Sequence, residues 1–164
     1  MKGTRLLLVA ALLGCGERSP TGVRAQALLF DAPAANTGLV RCTPVAPDSV
    51  SQTVGPLGGI VLVGAHRLTI PPGALDSAVE ITAIAPSDTV NRVDFGPEGL
   101  TFRAPAWLTM SYANCGVPAT LVPKHIAYTS DALVILALLP SLDNLLAQRV
   151  TARLDHFSDY AIAW

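Results

Sequence analysis

The sequence is poor in charge, with 14% Asp, Glu, Lys and Arg where a typical soluble domain has about a quarter. Its lysines and arginines are scattered, and nucleic-acid binding wants them clustered on one patch or stripe. Its longest apolar runs fall far short of the ~20 residues that a helix needs to span a bilayer. There is no glycine-rich phosphate loop, no G-x-S-x-G and no separated Ser/His/Asp set, so the usual motifs of nucleotide-binding proteins and serine hydrolases are missing. Internal repeats and heptads are also absent. Three histidines and three cysteines are all the chain has of the soft metal ligands, and no His pair stands near a cysteine at zinc spacing. The expectation is a chain with no cofactor, no metal, no nucleic-acid partner and no identifiable small-molecule substrate. What it has in quantity is apolar side chain, 51% of 164 residues. Such a chain buries much of itself or leans on a partner.

The first residues explain part of that excess. Lys2 and Arg5 precede an apolar run from Leu6 to Leu13, which has the charge and short length of a secretory leader. The run ends Leu12-Leu13-Gly14-Cys15, which resembles a bacterial lipobox. The resemblance implies that residues 1–14 are a signal peptide, that cleavage falls before Cys15, and that Cys15 carries the lipid joining the protein to a membrane. Gly rather than Asp at position 16 implies, by resemblance to Gram-negative lipoproteins, an outer-membrane destination. A signal peptide without lipid is the alternative. Removing the leader leaves 150 residues, enough for one domain and a tether, with nine basic residues against twelve acidic ones. A formal charge of −3 does not suggest an anionic lipid surface as a partner. Cys42 and Cys115 are then an even pair in an oxidising compartment, and a disulfide between them is expected. Two reduced, buried thiols are the alternative.

Beyond Cys15 the composition divides the chain. Residues 15–40 mix Gly, Pro, Ser, Thr and Ala and read as a flexible tether, interrupted by Leu28-Leu29-Phe30. Arg41 to Pro56, with three prolines, reads as an extended segment along a domain edge. From Gly58 onward short alternating segments are divided by turn residues. Leu108, Met110 and Tyr112 share one face, as do Val150, Ala152 and Leu154, and Tyr160, Ile162 and Trp164. Period-two alternation is the mark of half-buried strands. The spacing of the turns predicts an all-β, antiparallel two-sheet sandwich of roughly eight or nine strands over residues 41–164. Leu133–Leu139 is read as a fully buried strand. Ser141–Gln148 is ambiguous: Leu142, Leu145 and Leu146 have helical spacing behind a candidate Ser141 N-cap.

Several pieces in order resemble the ZU5 domain family: Gly55-Pro56-Leu57-Gly58-Gly59, Leu68-Thr69-Ile70-Pro71-Pro72-Gly73-Ala74-Leu75, Ile81-Thr82, Phe95-Gly96-Pro97-Glu98-Gly99-Leu100-Thr101-Phe102, Pro105-Ala106 and Leu108-Thr109. They cover roughly residues 55–112; Lys124 to Trp164 fits more loosely through His156-Phe157-Ser158-Asp159-Tyr160-Ala161. The resemblance implies a β-sandwich used as a scaffold or interaction module. It also implies a chemistry, because His156-Phe157-Ser158 matches the self-cleavage motif of some members of the superfamily. There the Ser158 hydroxyl would attack the Phe157 carbonyl, shift the acyl group from nitrogen to oxygen with His156 assisting, and leave an ester for water to hydrolyse. A purely local structural role for these three residues is the alternative.

The remaining polar residues point less sharply. His66 and His125 stand singly in strand-like segments and read as structural. Asp76 with Glu80, and Asp94 with Glu98, are carboxylate pairs of the kind used for acid–base work or Ca²⁺, but they fall at turns and strand edges where solvated charge is the default. Trp107 and Trp164 read as core or edge packing, with a protein or carbohydrate surface as the sharper alternative. The sequence therefore leads to a non-enzymatic, membrane-anchored envelope lipoprotein with an unidentified envelope or extracellular protein partner. Self-processing and a purely structural envelope role are the competing readings.

Overall fold

The computed structural model describes residues 38–116 and 121–164. The leader, Cys15 and most of the expected tether lie outside the described residues. The domain is all β, with eleven strands among the described residues: β1 (Asp48–Val54), β2 (Gly59–Val63), β3 (His66–Ile70), β4 (Val79–Ala85), β5 (Arg92–Gly96), β6 (Thr101–Ser111), β7 (His125–Thr129), β8 (Ile135–Leu138), β9 (Ser141–Asn144), β10 (Arg149–His156) and β11 (Asp159–Ala163). They form two antiparallel sheets, one of six strands in the order β1-β4-β5-β11-β7-β8 and one of five in the order β2-β3-β6-β10-β9. The expected sandwich is present, with more strands than the sequence predicts.

The alternation read from the sequence sets which face each strand buries. Leu108, Met110 and Tyr112 of β6, and Val150, Ala152 and Leu154 of β10, are almost wholly buried. These two long strands pair from Arg149 opposite Ser111 through Leu154 opposite Ala106, so their apolar faces coincide. A one-residue slip would turn every one of these side chains to solvent. Tyr160 and Ile162 of β11 close the core from the other sheet. At the β1–β2 turn Gly58 has a φ of +73°, and a Cβ there would fall 2.2 Å from the Ile70 carbonyl oxygen, so only glycine fits.

The disulfide joins Cys42 to Cys115 across a sequence separation of 73, which in the chain-entropy account contributes up to roughly 4 kcal/mol. It holds the incoming chain against the end of β6. Asn91 donates to the Ser111 carbonyl at 2.8 Å, while Asn114 donates to the Thr43 carbonyl at 2.7 Å. The domain also begins earlier than composition places it. Leu39 bridges Ala163, the Val40 N–H donates to the Ile162 carbonyl, and Val40 is fully buried.

One segment differs from expectation, and two others are defined more closely than the sequence reads them. Leu133–Leu139 is not a fully buried strand: β8 is an edge strand, with Leu136 53% and Leu138 42% exposed. Its apolar residues exceed what one edge can bury. Ser141–Gln148 is not a helix. Ser141–Asn144 pairs with the free edge of β10, which takes up its backbone hydrogen bonds, and the rest is the turn between them; Leu142 and Leu146 are exposed. The Arg41–Pro56 segment is extended, as expected, but contains β1, a strand paired along its whole length with β4.

Candidate functional site

Phe157 and Ser158 are the two residues between β10 and β11, and those strands belong to different sheets. The chain therefore changes sheets at the His156-Phe157-Ser158 motif. Phe157 is fully buried, stacked on Phe95 with ring centroids 5.0 Å apart and meeting Phe102 edge-on at 5.0 Å. The turn Pro97–Leu100 embraces its backbone: the Phe157 N–H donates to the Leu100 carbonyl at 2.8 Å, and the Gly99 N–H donates to the Phe157 carbonyl at 3.1 Å. Gly99 sits at φ +74°, a conformation glycine adopts without cost. The Phe95–Phe102 segment and the His156–Ser158 segment, far apart in sequence, are thus one structural unit.

His156 packs its ring edge-on to Tyr128 at 5.3 Å, and the Tyr160 hydroxyl donates to the His156 carbonyl at 2.7 Å. Its Nδ1 lies 3.2 Å from the Phe157 carbonyl oxygen, a contact that is a hydrogen bond when Nδ1 carries the proton. With Nδ1 protonated, the carbonyl that Ser158 would attack is approached by two N–H groups, from Gly99 and from the imidazole. That arrangement suits stabilising negative charge on the oxygen and donating a proton, rather than removing one from Ser158. Ser158 itself is 8% exposed, and its carbonyl accepts from the Phe95 N–H at 3.3 Å.

Next to the motif lies a cluster of carboxylates. Asp159 of β11 stands directly opposite Asp94 of β5, and like charges in register repel. Burial, then Asp94, then Asp131, whose carboxylate accepts a hydrogen bond from the protonated Asp159 carboxyl, push Asp159 up to about 6, against the opposing pull of Arg92. Asp94 is raised by burial and Asp131 while Arg92 holds it down. Arg92 is shared with Asp88 at 3.7 Å and Asp94 at 3.2 Å.

The other expected residues are dispersed. Asp76 pairs with Arg103 at 2.6 Å and Glu80 accepts from Ser51 at 2.6 Å, so that pair does not converge. Asp94 faces Arg92, while Glu98 sits on the exposed turn. His66 is buried and accepts from the Ser111 N–H at 3.2 Å, and burial pushes its imidazole down to about 4. It is a neutral, satisfied histidine. His125 stands alone on β7, opposite Ala163. No group of three His, Cys, Asp or Glu with metal-holding geometry occurs among the described residues. Trp164 packs on the core, whereas Trp107 is 42% exposed on the outer side of β6.

Lys124 was not legible from the sequence. It is fully buried, with Nζ 4.9 Å from the Trp164 ring and 5.5 Å from the Tyr112 ring. Its ammonium has no hydrogen-bond acceptor among the described residues, and burial lowers its pKa. Asp143, which accepts from the Tyr112 hydroxyl at 2.6 Å and the Lys124 N–H at 2.7 Å, opposes that shift. A single lysine between Pro123 and His125 carries no pattern that announces a cation between two rings.

No protein-family model matches this chain, and no curated protein matches it.

Proposed function

We propose that this protein is a non-enzymatic lipoprotein of the cell envelope, anchored through Cys15, whose ZU5-like sandwich is a protein-interaction module. The observation that carries the interaction reading is β8. It is the open edge of the six-stranded sheet, and no charged residue occurs from Ala132 to Leu142. Sheet edges are ordinarily guarded by charge, proline or a bulge, because their free N–H and C=O groups recruit another strand. The β7–β8 register shifts between Tyr128 and Thr129, leaving Leu136 as the skipped residue within β8, and Pro140 lies two residues past the strand end. Leu136 and Leu138 there offer apolar side chains to an added strand. β2, an open edge of the five-stranded sheet, is also uncharged, and it touches β1 of the other sheet. The partner class is therefore an extended segment of another envelope protein.

The test places a photo-crosslinking residue at Leu136 and, separately, at Thr82 on β4, in the native anchored protein. Partner adducts are expected at 136, absent at 82, and lost when Leu138→Lys is added. Equal labelling at both sites, or indifference to Leu138→Lys, would contradict the edge reading. The anchor is tested separately by the mass of the mature N-terminal peptide, which should begin at an acylated Cys15.

The Phe157 carbonyl supports a second reading, self-processing between Phe157 and Ser158. Two N–H groups near one buried carbonyl oxygen are the kind of arrangement such an acyl shift uses. Intact mass after prolonged incubation is the test: two fragments that Ser158→Ala abolishes would establish it, and one persistent chain would exclude it.

A further inference from the structure

The outer face of the five-stranded sheet has a composition that the whole-chain charge conceals. Strand register arranges it in rows. One row runs Ile60, Thr69, Trp107, Arg153, and the next runs Leu62, Arg67, Thr109, Thr151, Leu142. Arg149 and Asn144 begin a third. Three of the seven basic residues among the described residues, Arg67, Arg149 and Arg153, are therefore on one face. None of the three has an ion-pair partner among the described residues. Of the nearby acids, Asp76 is paired with Arg103 and Asp143 faces inward to the Tyr112 hydroxyl, while Asp155 is exposed and without an ion-pair partner among the described residues, at the bulged end of β10. Apolar side chains interleave the arginines. Ile60, Leu62, Trp107 and Leu142 are all exposed, and Leu146, within the turn between β9 and β10, is 100% exposed.

We propose that this face docks on an anionic lipid bilayer. Arginines meet headgroup phosphates, Trp107 sits at headgroup level, and Leu142 and Leu146 enter the acyl boundary. Charge complementarity selects this occupant. A second copy meeting the same face about a two-fold axis would set three unpaired arginines against three others. A neutral surface would leave them uncompensated. An acidic protein also satisfies the charge and is distinguished in the test by its competitor, soluble polyglutamate. The inference extends the lipid-anchored reading, since a tethered domain is held within reach of such a surface.

The test uses the complete chain with Cys15→Ala, so that no lipid anchor contributes, and measures binding to phosphatidylglycerol vesicles against phosphatidylcholine vesicles. Preferential binding to phosphatidylglycerol, weakened by salt, is expected. Arg67→Gln, Arg149→Gln and Arg153→Gln together should reduce it on the order of 100-fold, and each alone roughly fivefold. Because the leader is itself basic and apolar, Lys2→Gln with Arg5→Gln is the control and should leave the arginine effect intact. Brominated phosphatidylglycerol should quench tryptophan emission, and Trp107→Phe should remove that quenching. If the triple variant fails to fold, the single variants still report. Equal binding to both vesicles, an unchanged triple variant, or emission that is not quenched overturns the proposal. So does self-association that shields Trp107, or tighter binding to soluble polyglutamate than to vesicles, which would mark an acidic protein partner. Because this chain carries no lipid, failure here leaves the Cys15 anchor untouched. Conversely, an unmodified Cys15 in the native protein leaves the docking face untouched.

Discussion

The two sheets are alike in their buried sides and opposite in their outer ones. The five-stranded sheet presents arginine, tryptophan and leucine with its acids paired, turned inward or at the margin. The six-stranded sheet gathers Asp94 and Asp159 in register with Asp131 beside them, and has Arg92 as their close counterion. A small net charge thus hides a domain with two electrical sides. The lesson is about where selection of a partner is encoded. Inner faces are fixed by packing, so they resemble each other, while outer faces are free to differ and here differ in sign.

That contrast can be broken at the point where the chain passes between sheets. Phe157→Ala removes the ring packed on Phe95 and Phe102 and should cost about 3–5 kcal/mol. Urea unfolding at two probes, Trp107 in one sheet and Trp164 at the end of β11, would show whether the sheets still melt together. Removing the disulfide with Cys42→Ser and Cys115→Ser should cost roughly 2–4 kcal/mol, measured as a lower melting temperature. It should leave both outer faces intact, because the bridge ties down the incoming chain rather than either face.

The acidic side is sharpened by pH. The Asp159 carboxyl is raised from 3.8 to about 6 in the folded protein, so between these values the folded state holds a proton the unfolded chain has released. Its contribution to stability therefore falls as pH rises through that window. The imidazole of His66 is lowered from 6.5 to about 4, so across nearly the same window its contribution rises with pH. The two oppose each other in the native chain. Asp159→Asn should raise stability at pH 7 by about 1 kcal/mol and expose the rising limb from His66 between pH 4 and 6.5. Denaturant midpoints across that range check this, and a variant that still loses stability as pH rises would refute the assignment. The smallest effect belongs to the basic face: Trp107→Ala should change stability by no more than about 0.5 kcal/mol, because the ring packs on the outside.

How much of this was legible in the sequence depends on what each segment had to bury. β6, β10 and β11 were readable because their period-two patterns face the core without interruption. β1 was not, since Asp48-Ser49-Val50-Ser51-Gln52-Thr53 is polar and an edge strand needs little burial. β5 was obscured because Phe95-Gly96-Pro97 reads as a turn, although Gly96 is the last residue of the strand and lies tight against Thr82. The leucines of Ser141–Gln148 looked helical because exposed side chains obey no period. Of the candidate site, the residue identities of His156-Phe157-Ser158 were visible. The closure of the Pro97–Leu100 turn over them was not, because that contact depends on how the two sheets stack. The basic face was invisible for the same reason: Arg67, Arg149 and Arg153 meet only through the register of β3, β6 and β10.

The central claim is that the two outer faces meet different surroundings, and hydrogen exchange on the Cys15→Ala chain with and without phosphatidylglycerol vesicles tests it most directly. The account predicts new protection in the turn around Leu145 and Leu146 and in β9, with β8 and β4 unchanged. Protection appearing in β8 or β4 instead, or nowhere, would contradict it.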